Sequence, residues 1–220
     1  MQNPYPTDPI RPFRLNDEDD DENEDGPGGC DSGAKGSDGS LLDRHLLASR
    51  TVVLAGPVSD KLAQFCQVRL LAMERMDKER PITVLINSPG GSADSGFAIY
   101  DMLRFVQPPI RTIVNGLCAS AAILIGLAAE KKDRYALPES RFLIHQPSTT
   151  GQGTASDLDI TAREIIKLRE RYNRIIAERT GQNPEKVLTD AKRDFWLNAK
   201  EALEYGLISK VVKKRSELPE

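Results

Sequence analysis

From Leu41 onward, five short runs rich in β-branched and aliphatic residues alternate with longer segments of helical apolar spacing. The runs are Thr51-Val52-Val53-Leu54-Ala55, Ile82 to Ile86, Ile110 to Asn115, Phe142 to His145 and Ile208 to Val212. Between them, Asp60 to Arg80 places Leu62, Phe65, Cys66, Leu70 and Met73 on one stripe, and Ala93 to Phe105, Ala121 to Ala129 and Ala155 to Arg179 read as further helices. A strand that hands over to a helix and is followed by another strand returns by a right-handed crossover, so the repeat predicts an α/β fold with a largely parallel sheet.

The first 40 residues do not share this pattern. Eight of the nine residues from Asp17 to Asp25 are carboxylates, and Gly26 to Ser40 is rich in Gly, Ser and Asp. Such a composition buries too little apolar surface to offset chain entropy, so residues 1–40 are expected to be a disordered acidic tail before one domain at 41–215, with 216–220 flexible. Basic and acidic side chains are interspersed in the remainder and no aromatic-basic platform occurs, which argues against nucleic acid. Cys30, Cys66 and Cys118 have neither disulfide-scaffold nor zinc-site spacing, and no metal or other cofactor is expected. The first 30 residues lack an apolar signal core and no apolar run reaches 18 residues, so the expectation is a cytoplasmic protein with no membrane span.

Ser120 lies where the strand ending near Asn115 gives way to the small-residue helix from Ala121. A sharp turn there aims a hydroxyl into a cleft beside unpaired helix-start N–H groups, which suits a nucleophile; the same position also suits a plain N-cap. Of the two histidines, His45 sits in a local amphipathic segment, whereas His145 ends a strand-like run before Gln146-Pro147, where α/β sites collect. An imidazole there can take the serine proton and return it to a leaving amine. A carboxylate must hold its tautomer, and Asp190 and Asp194, four apart and able to share a helix face, are both open on spacing. The loop Asn87-Ser88-Pro89-Gly90-Gly91-Ser92 reads either as a tight turn or as a source of oxyanion donors.

Several ordered motifs together resemble the proteolytic subunit of the Clp protease family, a self-compartmentalised serine peptidase. They are Ile86-Asn87-Ser88-Pro89-Gly90-Gly91-Ser92, Ile99-Tyr100-Asp101, Pro108-Pro109, Ala119-Ser120, Arg134-Tyr135-Ala136-Leu137-Pro138, Ile144-His145-Gln146-Pro147, Arg193-Asp194 and Glu201 to Ile208, and the likeness runs from about Ser49 to Val212. The resemblance implies a ClpP/crotonase-like fold of repeated β-β-α/β-α units with a protruding handle helix from about Ala155. It implies Ser120 as nucleophile, His145 as base and Asp194, rather than Asp190, as the orienting carboxylate. The backbone N–H groups of Gly91 and Ala121 correspond to the oxyanion donors, and Gly90, Gly91, Ser92, Ser148, Thr149 and Thr150 to the wall of a substrate groove.

By the same resemblance the partners are further copies in heptameric rings stacked as a tetradecamer, unfolded polypeptide as substrate, and a hexameric AAA+ unfoldase that would use ATP, this chain itself needing no cofactor. The chain departs from the family pattern at Ala121, where methionine is common, at Thr149-Thr150, where a glycine pair stands, and in its acidic N-terminal segment. These departures keep a second reading in view: a catalytically weak or regulatory ClpP-like paralogue in mixed rings.

Overall fold

The computed structural model describes residues 37–219, so the acidic run expected to be disordered lies outside the described residues. Helix α1 (Ser37–Ala48) crosses the boundary drawn at residue 41, and Leu47 packs on the core. Five strands follow one another in a parallel path: β1 (Thr51–Ala55), β2 (Ile82–Ser88), β3 (Ile110–Ala119), β4 (Arg134–Ala136) and β7 (Lys210–Val211). Two more, β5 (Arg141–Ile144) and β6 (Phe195–Asn198), extend the sheet, with β5 parallel to the far end of β3 and β6 antiparallel to β5. The sheet is thus mixed rather than wholly parallel, in an α/β architecture with flanking helices.

Helix α2 (Asp60–Met76) starts at Ser59, whose hydroxyl accepts from Leu62 N, and α3 (Ala93–Phe105) starts at Ser92, which accepts from Ser95 N. The helix expected to run to Arg80 stops at Met76. There the Asp77 carboxylate accepts the Glu79 and Arg80 N–H groups at 2.8 and 3.1 Å, an alternative to helical pairing that also holds its carboxyl below the usual range. Buried Arg50 completes the stop by donating to the carbonyls of Met73 and Asp77. The core lies between these helices and the sheet and includes Val52, Leu54, Cys66, Leu70, Met73, Val84 and Ile86, all fully buried.

Strand β3 is the element that positions the site. Its first half pairs with β4 and its second half with β5, and the break between them is a bulge: Ile86 faces Val114 but Ser88 faces Cys118. Three residues of β3, Asn115, Gly116 and Leu117, therefore stand against Asn87 alone, two more than a regular ladder holds. The Asn87 side chain fills the gap, its Oδ1 accepting from Leu117 N at 3.0 Å. Gly116 leaves room for that amide, since a Cβ there would lie 2.6 Å from Asn87 Oδ1.

Beyond β3, α4 (Ala121–Leu127) is buried along almost its whole length. Arg134, 1% exposed, donates to Ala129 O at 2.8 Å, and Arg179 donates to Leu127 O and Ala129 O, so two cations sit at the carbonyl end of this helix. Burial, with Arg179 nearby, pushes the Arg134 guanidinium down to about 10. Helix α5 (Ala155–Thr180) has a Thr154/Asp157 capping box and ends at Gly181 in the left-handed conformation. Its first half is largely exposed, and Tyr172, Ile175 and Ile176 in its second half are buried.

One expectation about the C-terminal third changes. Asp190 and Asp194 do not share a helix: α6 (Pro184–Asp190) ends at Asp190, and Asp194 precedes β6, a strand the sequence pattern does not announce. Asp190 is a half-buried clamp, accepting from Lys186 Nζ at 2.6 Å and Tyr205 Oη at 2.9 Å on α7 (Ala199–Tyr205). At the end of the chain, Arg215–Glu217 form a 3-10 turn and Leu218 packs beside Ile113, Tyr135 and Val212.

Candidate active site

Three adjacent strand ends converge. Ser120 follows the last residue of β3, His145 follows the last residue of β5, and Asp194 precedes the first residue of β6. Because β3 and β5 run parallel with Ala119 opposite Leu143, their ends reach the same rim, and Ser120 N donates to Leu143 O at 2.9 Å. Because β5 and β6 run antiparallel with Ile144 opposite Phe195, the next step of the ladder sets His145 opposite Asp194, 49 residues apart in sequence. His145 Nδ1 lies 3.5 Å from Asp194 Oδ1. Gln146, next to the histidine, draws the intervening loop in, donating its N–H to Ala191 O at 2.8 Å and its side-chain amide to Lys192 O at 3.2 Å.

Ser120 has φ 56° and ψ −124°, a sparsely populated conformation for a residue with a side chain, and it makes no side-chain capping bond to α4. Its hydroxyl is therefore free of the N-cap role. No hydrogen bond joins it to His145 among the described residues, yet both line one cavity of about 310 Å³. Gly91, Ser92, Ala121, Ser148 and Thr149 line that cavity as well. Gly90 and Thr150 do not: Gly90 is buried behind the serine, and Thr150 is exposed outside the cavity.

The glycine loop is shaped by its neighbours. Gly90 has φ +87°, and a Cβ on it would meet Ala119 O at 2.5 Å and Ser120 Cβ at 2.6 Å. The loop is stitched to the segment after β1 by Val58 N donating to Gly90 O and Ser92 N donating to Val58 O. Between those two bonds the Gly91 N–H has no partner among the described residues. Ala121 N–H, the first of α4, has no intrahelical acceptor by its position. Both residues line the cavity.

The rest of that wall is apolar and comes from elements whose side chains look like core in the sequence. Phe97 of α3, Leu124 of α4, and Ile165, Leu168 and Tyr172 of α5 close it. The α5 residues belong to a helical apolar stripe, and periodicity alone does not say that part of the stripe faces a site. His45 takes no part; it lies in α1. A larger cavity of about 700 Å³ elsewhere, lined by Arg50, Arg80, Arg111, Lys213, Lys214 and Arg215 among others, contains none of the three candidate residues. Among the described residues no cluster of three His, Cys, Asp or Glu side chains could hold a metal ion, and no helix is long and apolar enough to cross a membrane.

The family model described as Clp protease matches residues 35–215. The ATP-dependent Clp protease proteolytic subunit 2 of Treponema denticola is 47% identical over 186 residues, covering 84% of this chain and 93% of its own length. The ATP-dependent Clp protease proteolytic subunit of Paracoccus denitrificans is 48% identical over 167 residues, covering 76% of this chain and 83% of its own. Among solved structures, a mutant of ClpP1 from Listeria monocytogenes superposes with a TM-score of 0.76 at 41% identity, covering 81% of this chain and 99% of that one. A family match over most of the length and near-full coverage of these relatives agree with the converging strand ends: the chain belongs to the Clp protease family.

Proposed function

We propose that this chain is a serine endopeptidase subunit that cleaves unfolded polypeptide through an acyl-enzyme, with Ser120 as nucleophile, His145 as general base and acid, and Asp194 as the orienting carboxylate. The observation that carries this reading is the cavity shared by a strained, uncapped Ser120 and by His145, whose far nitrogen faces Asp194 at 3.5 Å. His145 takes the Ser120 proton as Oγ attacks the peptide carbonyl, and Asp194 stabilises the imidazolium that forms. The proton passes to the departing amine, the acyl-serine remains, and water activated by the same imidazole releases the second product. At 3.5 Å the His145–Asp194 pair is about half an ångström longer than a formed N–H···O bond, and it closes when substrate fills the cavity.

Negative charge on the tetrahedral oxygen meets the free N–H groups of Gly91 and Ala121. Substrate lies extended between Gly91 and Ser92 on one side and Ser148 and Thr149 on the other, the four groove residues that line the cavity. Further copies assemble as heptameric rings stacked into a tetradecamer, and a hexameric AAA+ unfoldase supplies substrate and consumes the ATP. The compartment is the cytoplasm.

The test is covalent labelling with a fluorophosphonate followed by mapping of the modified peptide. Label is expected on Ser120 alone, and Ser120→Ala is expected to cut peptide turnover on the order of 10⁵-fold while leaving particle size unchanged. An assembled wild-type protein that takes no label would replace this reading with that of a regulatory paralogue.

A further inference from the structure

Helix α5 reaches the proposed nucleophile directly. The Tyr172 phenol donates to the backbone carbonyl oxygen of Ser120 at 3.1 Å, and the residue is 4% exposed. Burial pushes this phenol well above its ordinary titration range, so it remains a donor at any working pH. The same oxygen accepts from Ile123 N at 2.9 Å. Two donors thus converge on one carbonyl, at a residue whose φ of 56° and ψ of −124° require support from its surroundings.

The carbonyl of Ser120 and the N–H of Ala121 are the two ends of one planar, trans peptide unit. Fixing the oxygen therefore fixes the direction of the N–H, which points the opposite way. A hydrogen bond accepted at the oxygen also polarises the amide and strengthens the bond its N–H can give. We infer that Tyr172 is a positioning residue for catalysis: by holding the Ser120 carbonyl it aims and strengthens the Ala121 N–H as an oxyanion donor. The inference rests on the reading of Ser120 and Ala121 given above and adds a residue to it.

Its place on α5 gives the bond a second consequence. Tyr172 is the first buried residue of that helix, at the point where the exposed first half meets the body. It also lines the cavity beside Ser120. One side chain therefore links the start of the buried half of α5 to the nucleophile's peptide plane.

The experiment compares wild type with Tyr172→Phe, which keeps the ring and loses only the hydroxyl, and with Tyr172→Met, a flexible filler of the same space. Steady-state kinetics on a fluorogenic peptide are combined with inhibition by a peptide aldehyde, whose serine adduct carries an oxyanion, and by the matching peptide alcohol, which cannot form one. Both variants are expected to lose about tenfold in kcat, a fraction of the roughly 10²–10³ that follows removal of an oxyanion donor. KM and alcohol affinity should stay within twofold, and aldehyde affinity should fall by the same factor as kcat. A loss confined to KM, or unchanged aldehyde affinity in both variants, overturns the inference and makes Tyr172 a wall residue. Full activity in a parallel Ser120→Ala control overturns the underlying assignment instead, and the role of Tyr172 with it.

Discussion

A methyl group on Gly90 would lie 2.5 Å from the Ala119 carbonyl oxygen and 2.6 Å from Ser120 Cβ, at a φ of +87°. Relief requires the loop or the serine turn to shift, and the turn is already held in a sparsely populated conformation. Gly90→Ala is therefore expected to cost about 1–3 kcal/mol in stability, read as a melting temperature lowered by roughly 5 °C, and to slow fluorophosphonate labelling at Ser120. A variant that melts and labels like wild type would show that the turn tolerates the shift. The doublet Gly90-Gly91 was legible in the sequence as a place where backbone comes close to something. Which of the two glycines serves which end was not: Gly90 makes room for the serine turn, and Gly91 presents the free amide.

At the scale of the element, β3 reaches the Ser120 turn through an interruption in its pairing with β2. A regular ladder with β2 has room for one residue between Val114 and Cys118 where β3 has three, and the Asn87 side chain accepts from Leu117 N there. Asn87→Ala removes that acceptor at a site water can reach, so a loss of about 1 kcal/mol is expected, together with several-fold slower acylation as the far half of β3 loosens. Denaturant unfolding and labelling rate check the two parts; a stability loss with no change in acylation would separate the bulge from the site. The sequence shows β3 only to Asn115, since Gly116 and the small residues after it dilute the strand signal. Strands β4 and β6 are three and four residues long, too short for any period to register, and β6 follows a polar stretch that reads equally well as helix. That ambiguity is why Asp190 and Asp194 read as neighbours on one face.

Over the whole molecule, the exposed first half of α5 carries Leu158, Ile160 and Ile166, with Ile160 60% exposed, while more apolar residues of the same helix pack on the body. Such exposed apolar side chains fit burial between copies, as the proposed double ring requires. Ile160→Asp is expected to weaken ring-to-ring association at least tenfold, seen in sedimentation velocity as a shift from tetradecamer toward single rings at micromolar protein; an unchanged boundary would remove α5 from the interface. The alternation of strands and helices, the order of α2, α3 and α5, and the positions of Ser120 and His145 at element ends were all readable in the linear chain, because apolar periodicity and turn residues are local properties. The branching of β3 between β4 and β5, the antiparallel return of β6 and the hydrogen bond from Tyr172 were not. They depend on register between segments tens of residues apart, where one ladder step sets His145 against Asp194, and such a pairing exists only once the backbones have been brought side by side.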